Sequence, residues 1–172
     1  MSQLRYHLFP CDHGWIGLVG TDRGLRRLSL KPTPQEVMEE LGEHLAGADE
    51  DASAFAQQQS CLERYLQGDL QALEKIQLDL SDAPPFFASA WEACRQIPAG
   101  ETRSYAWLAA QAGRPRAARA AGQAMAQNRL ALIIPCHRVI GSDGGLHGYG
   151  AGGLTVKARL LAMEQQNRRT RQ

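Results

Sequence analysis

Two adjacent prolines in "SDAPPFF" (Ser81–Phe87) set the first limit on how this chain folds. Neither ring carries an N–H to donate, and each disfavours the α conformation for the residue before it, so no helix runs through the pair. The charge balance changes sign at the same place. Residues 1–83 hold 7 Lys+Arg against 14 Asp+Glu, a balance of −7. Residues 84–172 hold 12 Lys+Arg against 4 Asp+Glu, a balance of +8, and 11 of those 12 cations are arginine. A basic half beside an acidic half suits polyanion binding by the C-terminal part, because phosphates gain from cation contacts and counterion release. Ordinary variation in surface charge would produce the same asymmetry.

The 172 residues suffice for one domain or for two small ones packed together. Nothing near Met1 reads as a signal peptide, and no run approaches the ~20 apolar residues of a membrane helix, so a soluble cytoplasmic chain with no membrane partner is expected. Cys11, Cys61, Cys94 and Cys136 lie far apart without a CxxC pair, which indicates neither a disulfide framework nor a four-ligand zinc site. Cys11 and His13 make at most half a metal site with no second pair in view, and no metal is expected.

Residues 1–83 read as a small N-terminal α/β domain. "GWIGLVG" and "GLRRLSL" are short apolar runs around the turn cluster "TDRG" and predict a hairpin. "TPQEVMEELGEHL" and "ASAFAQQQSCLERYLQG" predict helices, and "IQLDL" a further strand. Residues 84–172 read as mainly helical, giving an α+β chain in which the first domain packs on the second. In "FFASAWEACRQI" the apolar residues Phe87, Ala90, Trp91, Cys94 and Ile97 recur at helical spacing, which places Cys94 in a core. Ser104 can cap a helix over "YAWLAAQAG", with Gly113 as its terminator, and Pro115 can open the next, "RAARAAGQAMAQ". The tail "QQNRRTRQ" is expected to fray.

Two short helices around a glycine-containing turn have the outline of a helix-turn-helix. The second carries little bulk. Close helix–helix packing selects such residues, and so does insertion into the minor groove, about 6 Å wide, where Ala118, Ala120, Ala121 and Gly122 would let the backbone approach. Arg119, midway along, could then reach the base stack.

In "ALIIPCHRVIG" a candidate buried strand ends at Pro135, and Cys136 opens an irregular segment with His137 next to it. A free thiol has a pKa of about 8.5, and a basic partner raises its thiolate fraction. Neighbouring side chains of an extended chain point to opposite faces, so direct Cys–His contact needs a bend or a bridging water. The glycines of "GSDGGLHGYGAGG" lack the lysine and spacing of a phosphate loop and fit better as a pocket wall, with Tyr149 supplying an aromatic face.

Taken together, "IPAGETRSYAWLA", "GRPRAARAAGQAM", "PCHRVIG" and "GYGAGGLTVKARLLAMEQ" resemble the O6-alkylguanine-DNA alkyltransferases, over residues 84–164 above all. The resemblance implies a DNA repair protein that flips O6-alkylguanine, with O4-alkylthymine as a second candidate lesion, from duplex DNA and moves the alkyl group irreversibly to its own cysteine. By it Cys136 is the acceptor, His137 its water-linked base and Glu164 the carboxylate orienting His137. Asn128 braces the turn after the recognition helix, Arg119 fills the space left by the extruded base, and Tyr105 turns the target phosphate and donates toward guanine N3. Met125, Val139 and Tyr149 line the pocket, with Gly150 or Ala151 as backbone donor to O6. No cofactor is implied. The partner is double-stranded DNA containing alkylated bases, met by a monomer that is nucleoid-associated when bound. Three departures from the family pattern stand out: "SDAPPFFASAW", "NRLAL" in place of asparagine–proline, and one extra residue in "GYGAGG". A non-catalytic alkyltransferase-like sensor is the alternative, opposed by the presence of Cys136. A cysteine hydrolase using Cys136 and His137 is a weaker third.

Overall fold

Two-residue loops at 12–13 and 22–23 fold the first thirty residues into a meander. In the computed structural model, which describes residues 3–141 and 153–170, β1 (Arg5–Cys11) pairs antiparallel with β2 (Gly14–Thr21), and β2 with β3 (Gly24–Lys31). The first loop requires glycine: Gly14 has φ +124°, and a Cβ there would stand 2.4 Å from the Lys31 carbonyl oxygen. A two-residue strand, β4 (Asp49–Glu50), adds parallel to β1, giving the order β3-β2-β1-β4.

α1 (Pro34–Leu41) starts with Pro34 in its first turn and a capping box in which Thr33 and Glu36 bond each other's backbone N–H. It reaches the sheet closely because Gly17 has no side chain, since a Cβ there would lie 2.4 Å from Val37 Cγ1. Val19, Val37 and Leu41 form the core of this layer, with Tyr6, Leu8 and Trp15 around them. β2 is buried on both faces, as its apolar run predicts. α2 (Ala56–Leu66) is tied to β1 by the 2.9 Å bond between His7 Nε2 and Gln59 Oε1.

"IQLDL" does not form a strand. It makes a single-residue bridge, Leu25 to Leu78, and the chain then turns about Asp79. Arg26 Nε at 2.9 Å and Thr21 Oγ1 at 3.1 Å donate to Asp79 Oδ2, while the Ser81 hydroxyl and N–H donate to Oδ1. Binding a buried carboxylate replaces further ladder pairing. Residues 1–81 form one compact unit and residues 82–172 a second.

The second unit opens with α3 (Pro85–Arg95), which begins at the second proline, where a missing N–H costs nothing. Cys94 is fully buried on its inner face, as the periodicity predicts. A short strand, β5 (Arg103–Ser104), leads into α4 (Tyr105–Gln111), capped by Ser104 Oγ accepting from Trp107 N at 3.1 Å and ended near Gly113 at φ +93°. α5 (Ala118–Ala126) starts three residues later than Pro115. The Ala117 N–H bonds back to the Arg114 carbonyl, so Arg114–Ala117 close a tight turn instead of the first helical turn. Trp91 Nε1 donates to the Ala124 carbonyl at 2.8 Å and fixes α3 against α5.

The run at 130–135 is buried throughout but is not a strand. Leu132 has φ +72° and Ile134 N bonds Leu130 O at 2.9 Å, so the segment folds back on itself. Its apolar character reports burial and not extension. A 3-10 turn, Cys136–Arg138, leads to β6 (Val139–Ile140), parallel to β5. α6 (Gly153–Thr170) continues through most of the tail read as frayed, because Gln165 Nε2 and Arg168 Nη1 both donate to the Gly100 carbonyl. Among the described residues no helix is long and apolar enough to cross a membrane.

Candidate active site

Cys136 sits on the 3-10 turn that follows the fold-back, 8 % exposed, whereas Cys94 is sealed. Asn128, two residues beyond α5, holds this turn. Its Oδ1 accepts from Leu130 N at 2.9 Å, and its Nδ2 donates to the Ile134 carbonyl at 2.9 Å and to Cys136 Sγ at 3.1 Å. A backbone donor at one end and a carbonyl at the other fix which amide atom is which. Burial pushes the Cys136 thiol up from its ordinary pKa. The Asn128 bond, the Lys157 charge and the backbone N–H groups of the turn act against that rise.

His137 and Glu164 are both fully buried and meet at 2.7 Å, Nε2 to Oε1. Burial would raise the Glu164 pKa, but bonds and charges from His137 and Arg138 outweigh it and hold the carboxyl well below the usual range. Burial also keeps His137 below its ordinary value, with Arg138 and Lys157 adding to the effect of burial and Glu164 opposing it. The ring is therefore neutral at pH 7. An ionised Glu164 can only accept, so the imidazole proton sits on Nε2 and the basic lone pair on Nδ1.

Tyr105, the first residue of α4, is half-buried, and burial together with Cys136 raises its phenol above the ordinary value. It stays protonated and able to donate. A Cβ on Gly122 would lie 3.8 Å from its ring, so α5 passes beneath it. Of the residues expected to line the pocket, Met125 and Val139 are buried, while Tyr149 and Gly150 lie outside the described residues.

On α5 Arg119 is exposed, sharing a face with Gln123 and Ala126. Ala118, Ala120 and Gly122 are half-buried at its edges. Ala121 is fully buried, and together with Ala124 and Met125 it packs inward. It cannot belong to a groove-facing surface, because it lies two residues from Arg119 and so on the opposite side of the helix.

Two residues of the site were given no role from the sequence. Arg138 grips Glu164 with Nε and Nη2 and donates from Nη1 to the Ile97 carbonyl at 2.8 Å. Lys157, 1 % exposed, donates to the Val139 carbonyl at 2.9 Å. A signal existed: Lys157, Leu160 and Glu164 are spaced for one helix face, and ionic residues within an apolar stripe mark a buried polar cluster.

Residues 85–166 match the family described as 6-O-methylguanine DNA methyltransferase, DNA binding domain, and residues 4–80 match its ribonuclease-like domain. The methylated-DNA–protein-cysteine methyltransferase of Methanosarcina barkeri is 40 % identical over 167 residues, covering 95 % of this chain and 99 % of the relative. The chain belongs to this methyltransferase family. The member from Mycolicibacterium paratuberculosis is 39 % identical over 164 residues, covering 95 % and 94 % of the two chains. The crystal structure of Mycobacterium tuberculosis OGT in complex with DNA superposes with a TM-score of 0.80 at 35 % identity, over 95 % of this chain and 94 % of that one. The α+β architecture expected from the sequence is thus the methyltransferase architecture.

Proposed function

We propose that this chain is a single-use DNA repair protein that receives O6-alkylguanine everted from duplex DNA and transfers its alkyl group to Cys136. The observation that carries the reading is the Cys136 sulfur, held by Asn128 at 3.1 Å on a turn whose next residue is a neutral histidine backed by a carboxylate. An alkyl carbon on guanine O6 cannot be reached inside stacked DNA, so the nucleotide leaves the stack, at a cost of a few kcal/mol. Arg119, exposed on α5, offsets this by entering the vacated space.

His137 Nδ1 takes the thiol proton through a bridging water. The S–C bond forms as the O6–C bond breaks, the electron pair stays on the base, and guanine recovers one proton. Tyr105 donates to the base as negative charge develops on it, Asn128 and Lys157 steady the thiolate, and Met125 and Val139 bound the pocket. The product is a thioether, a poor leaving group, so each molecule reacts once. No step needs a cofactor.

Incubation of folded protein with duplex containing O6-methylguanine should add the mass of one methylene to the Cys136 peptide, with one equivalent transferred per protein. An unmodified peptide, or many turnovers per molecule, would reject the reading.

A further inference from the structure

We propose that Arg138 is the positioning residue that keeps the His137–Glu164 pair in the single proton arrangement able to accept the thiol proton. The inference rests on the transfer reaction proposed above and adds a residue to it. Arg138 is almost fully buried and reaches the Glu164 carboxylate at three distances, Nε to Oε2 at 3.0 Å, Nε to Oε1 at 3.2 Å and Nη2 to Oε1 at 2.8 Å. Its remaining arm is fixed by the Ile97 carbonyl at 2.8 Å, so the guanidinium cannot swing away. Glu164 Oε2 also accepts from the Gly100 N–H at 3.3 Å. The oxygen that holds His137 is thus one of two that Arg138 covers.

Charge balance gives the consequence. With Arg138 present the cluster is neutral as one guanidinium, one carboxylate and one uncharged imidazole. Take the guanidinium away and the cluster regains neutrality by binding one proton on the His137–Glu164 pair, since a buried carboxylate without a counter-charge is strongly disfavoured. Whether that proton rests on the ring or is shared with the carboxylate, the lone pair the thiol needs is compromised near neutral pH. The other charged groups at the site do not substitute. Lys157 of α6 disfavours a charged ring, as Arg138 does, but is anchored on the Val139 carbonyl. Cys94 of α3 and Tyr105 of α4 are each raised by burial and by the Cys136 charge, and neither acts on the His137 ring.

The test is the single-turnover rate of methyl transfer from duplex DNA measured against pH, for the wild type, Arg138→Met and Arg138→Lys. Arg138→Met should move the acid limb upward by about one unit or more, so on that limb transfer falls up to ~10-fold below the wild type at the same pH when each is scaled to its own alkaline plateau. Arg138→Lys restores the cation and should return the limb toward the wild-type position. A uniform loss at every pH, or an unmoved midpoint, overturns the proposal. If Arg138→Met does not fold, ¹⁵N shifts of His137 in the wild type decide the matter. A neutral ring protonated on Nε2 at pH 7 supports it, and an imidazolium or an Nδ1-protonated ring overturns it. Absence of any Cys136 adduct in folded wild-type protein would instead sink the transfer reading itself.

Discussion

At Asn128 one amide joins three parts of the chain: a backbone N–H, a backbone carbonyl and the reactive sulfur. Asn128→Ala should therefore raise the thiol pKa and loosen the fold-back together, with slower alkylation at pH 7 and a lowered Tm as the paired readouts. The Lys157 ammonium acts on the thiol through charge, so Lys157→Met separates the two effects. Removing the cation disfavours the thiolate, and the pH midpoint for iodoacetamide labelling of Cys136 should rise. An unchanged midpoint would mean that the lysine only supports the Val139 carbonyl. Cys136→Ser should abolish transfer while leaving DNA binding largely intact, because the thiol makes no part of the exposed α5 face.

Among the elements, α5 divides its labour by face. Ala121, Ala124 and Met125 fill the interior, and Arg119 stands out with Gln123 and Ala126. Arg119→Ala should slow repair in duplex by at least about tenfold, since a few kcal/mol of unstacking then goes uncompensated. Reaction with free O6-benzylguanine should suffer less, and equal losses on both substrates would remove the finger role. Helices α1 to α5, the hairpin of β2 and β3 and the capping by Ser104 were legible in the sequence because each is set by local rules of spacing and turn chemistry, whereas the β1–β2 hairpin and α6 were not delimited. The segments at 76–80 and 130–135 were not. Both carry strand-like composition, and in both a long-range or conformational demand decided otherwise: the Asp79 clamp in one, the left-handed Leu132 in the other. For the site, Cys136, His137 and Glu164 followed from motif resemblance, whereas the grip of Arg138 on Glu164 joins positions 26 residues apart and no local pattern announces it.

For the molecule as a whole, the charge asymmetry predicts a steep salt dependence of DNA affinity, carried by the arginines of the second half. Titration of a fluorescent duplex at several salt concentrations would measure the slope, and a flat response would contradict phosphate-led binding. Stability should depend on pH through the first unit. Burial alone would raise the Asp79 pKa, but bonds from Ser81 and Arg26 hold it well below the usual range. Because the folded value lies below the unfolded one, the stabilisation is present at neutral pH and fades as pH falls below about 4. Asp79→Asn should lower Tm at pH 7 and flatten its acid dependence, read by thermal unfolding across pH. The final turns of α6 hold the molecule to a similar economy. Gln165 and Arg168 hold the oxygen of the Gly100 peptide, and the N–H of the same residue holds Glu164. A version of the chain trimmed just past Glu164 would retain every side chain that touches the reaction, yet the Gly100 peptide that meets its carboxylate would lose both side chains that hold it.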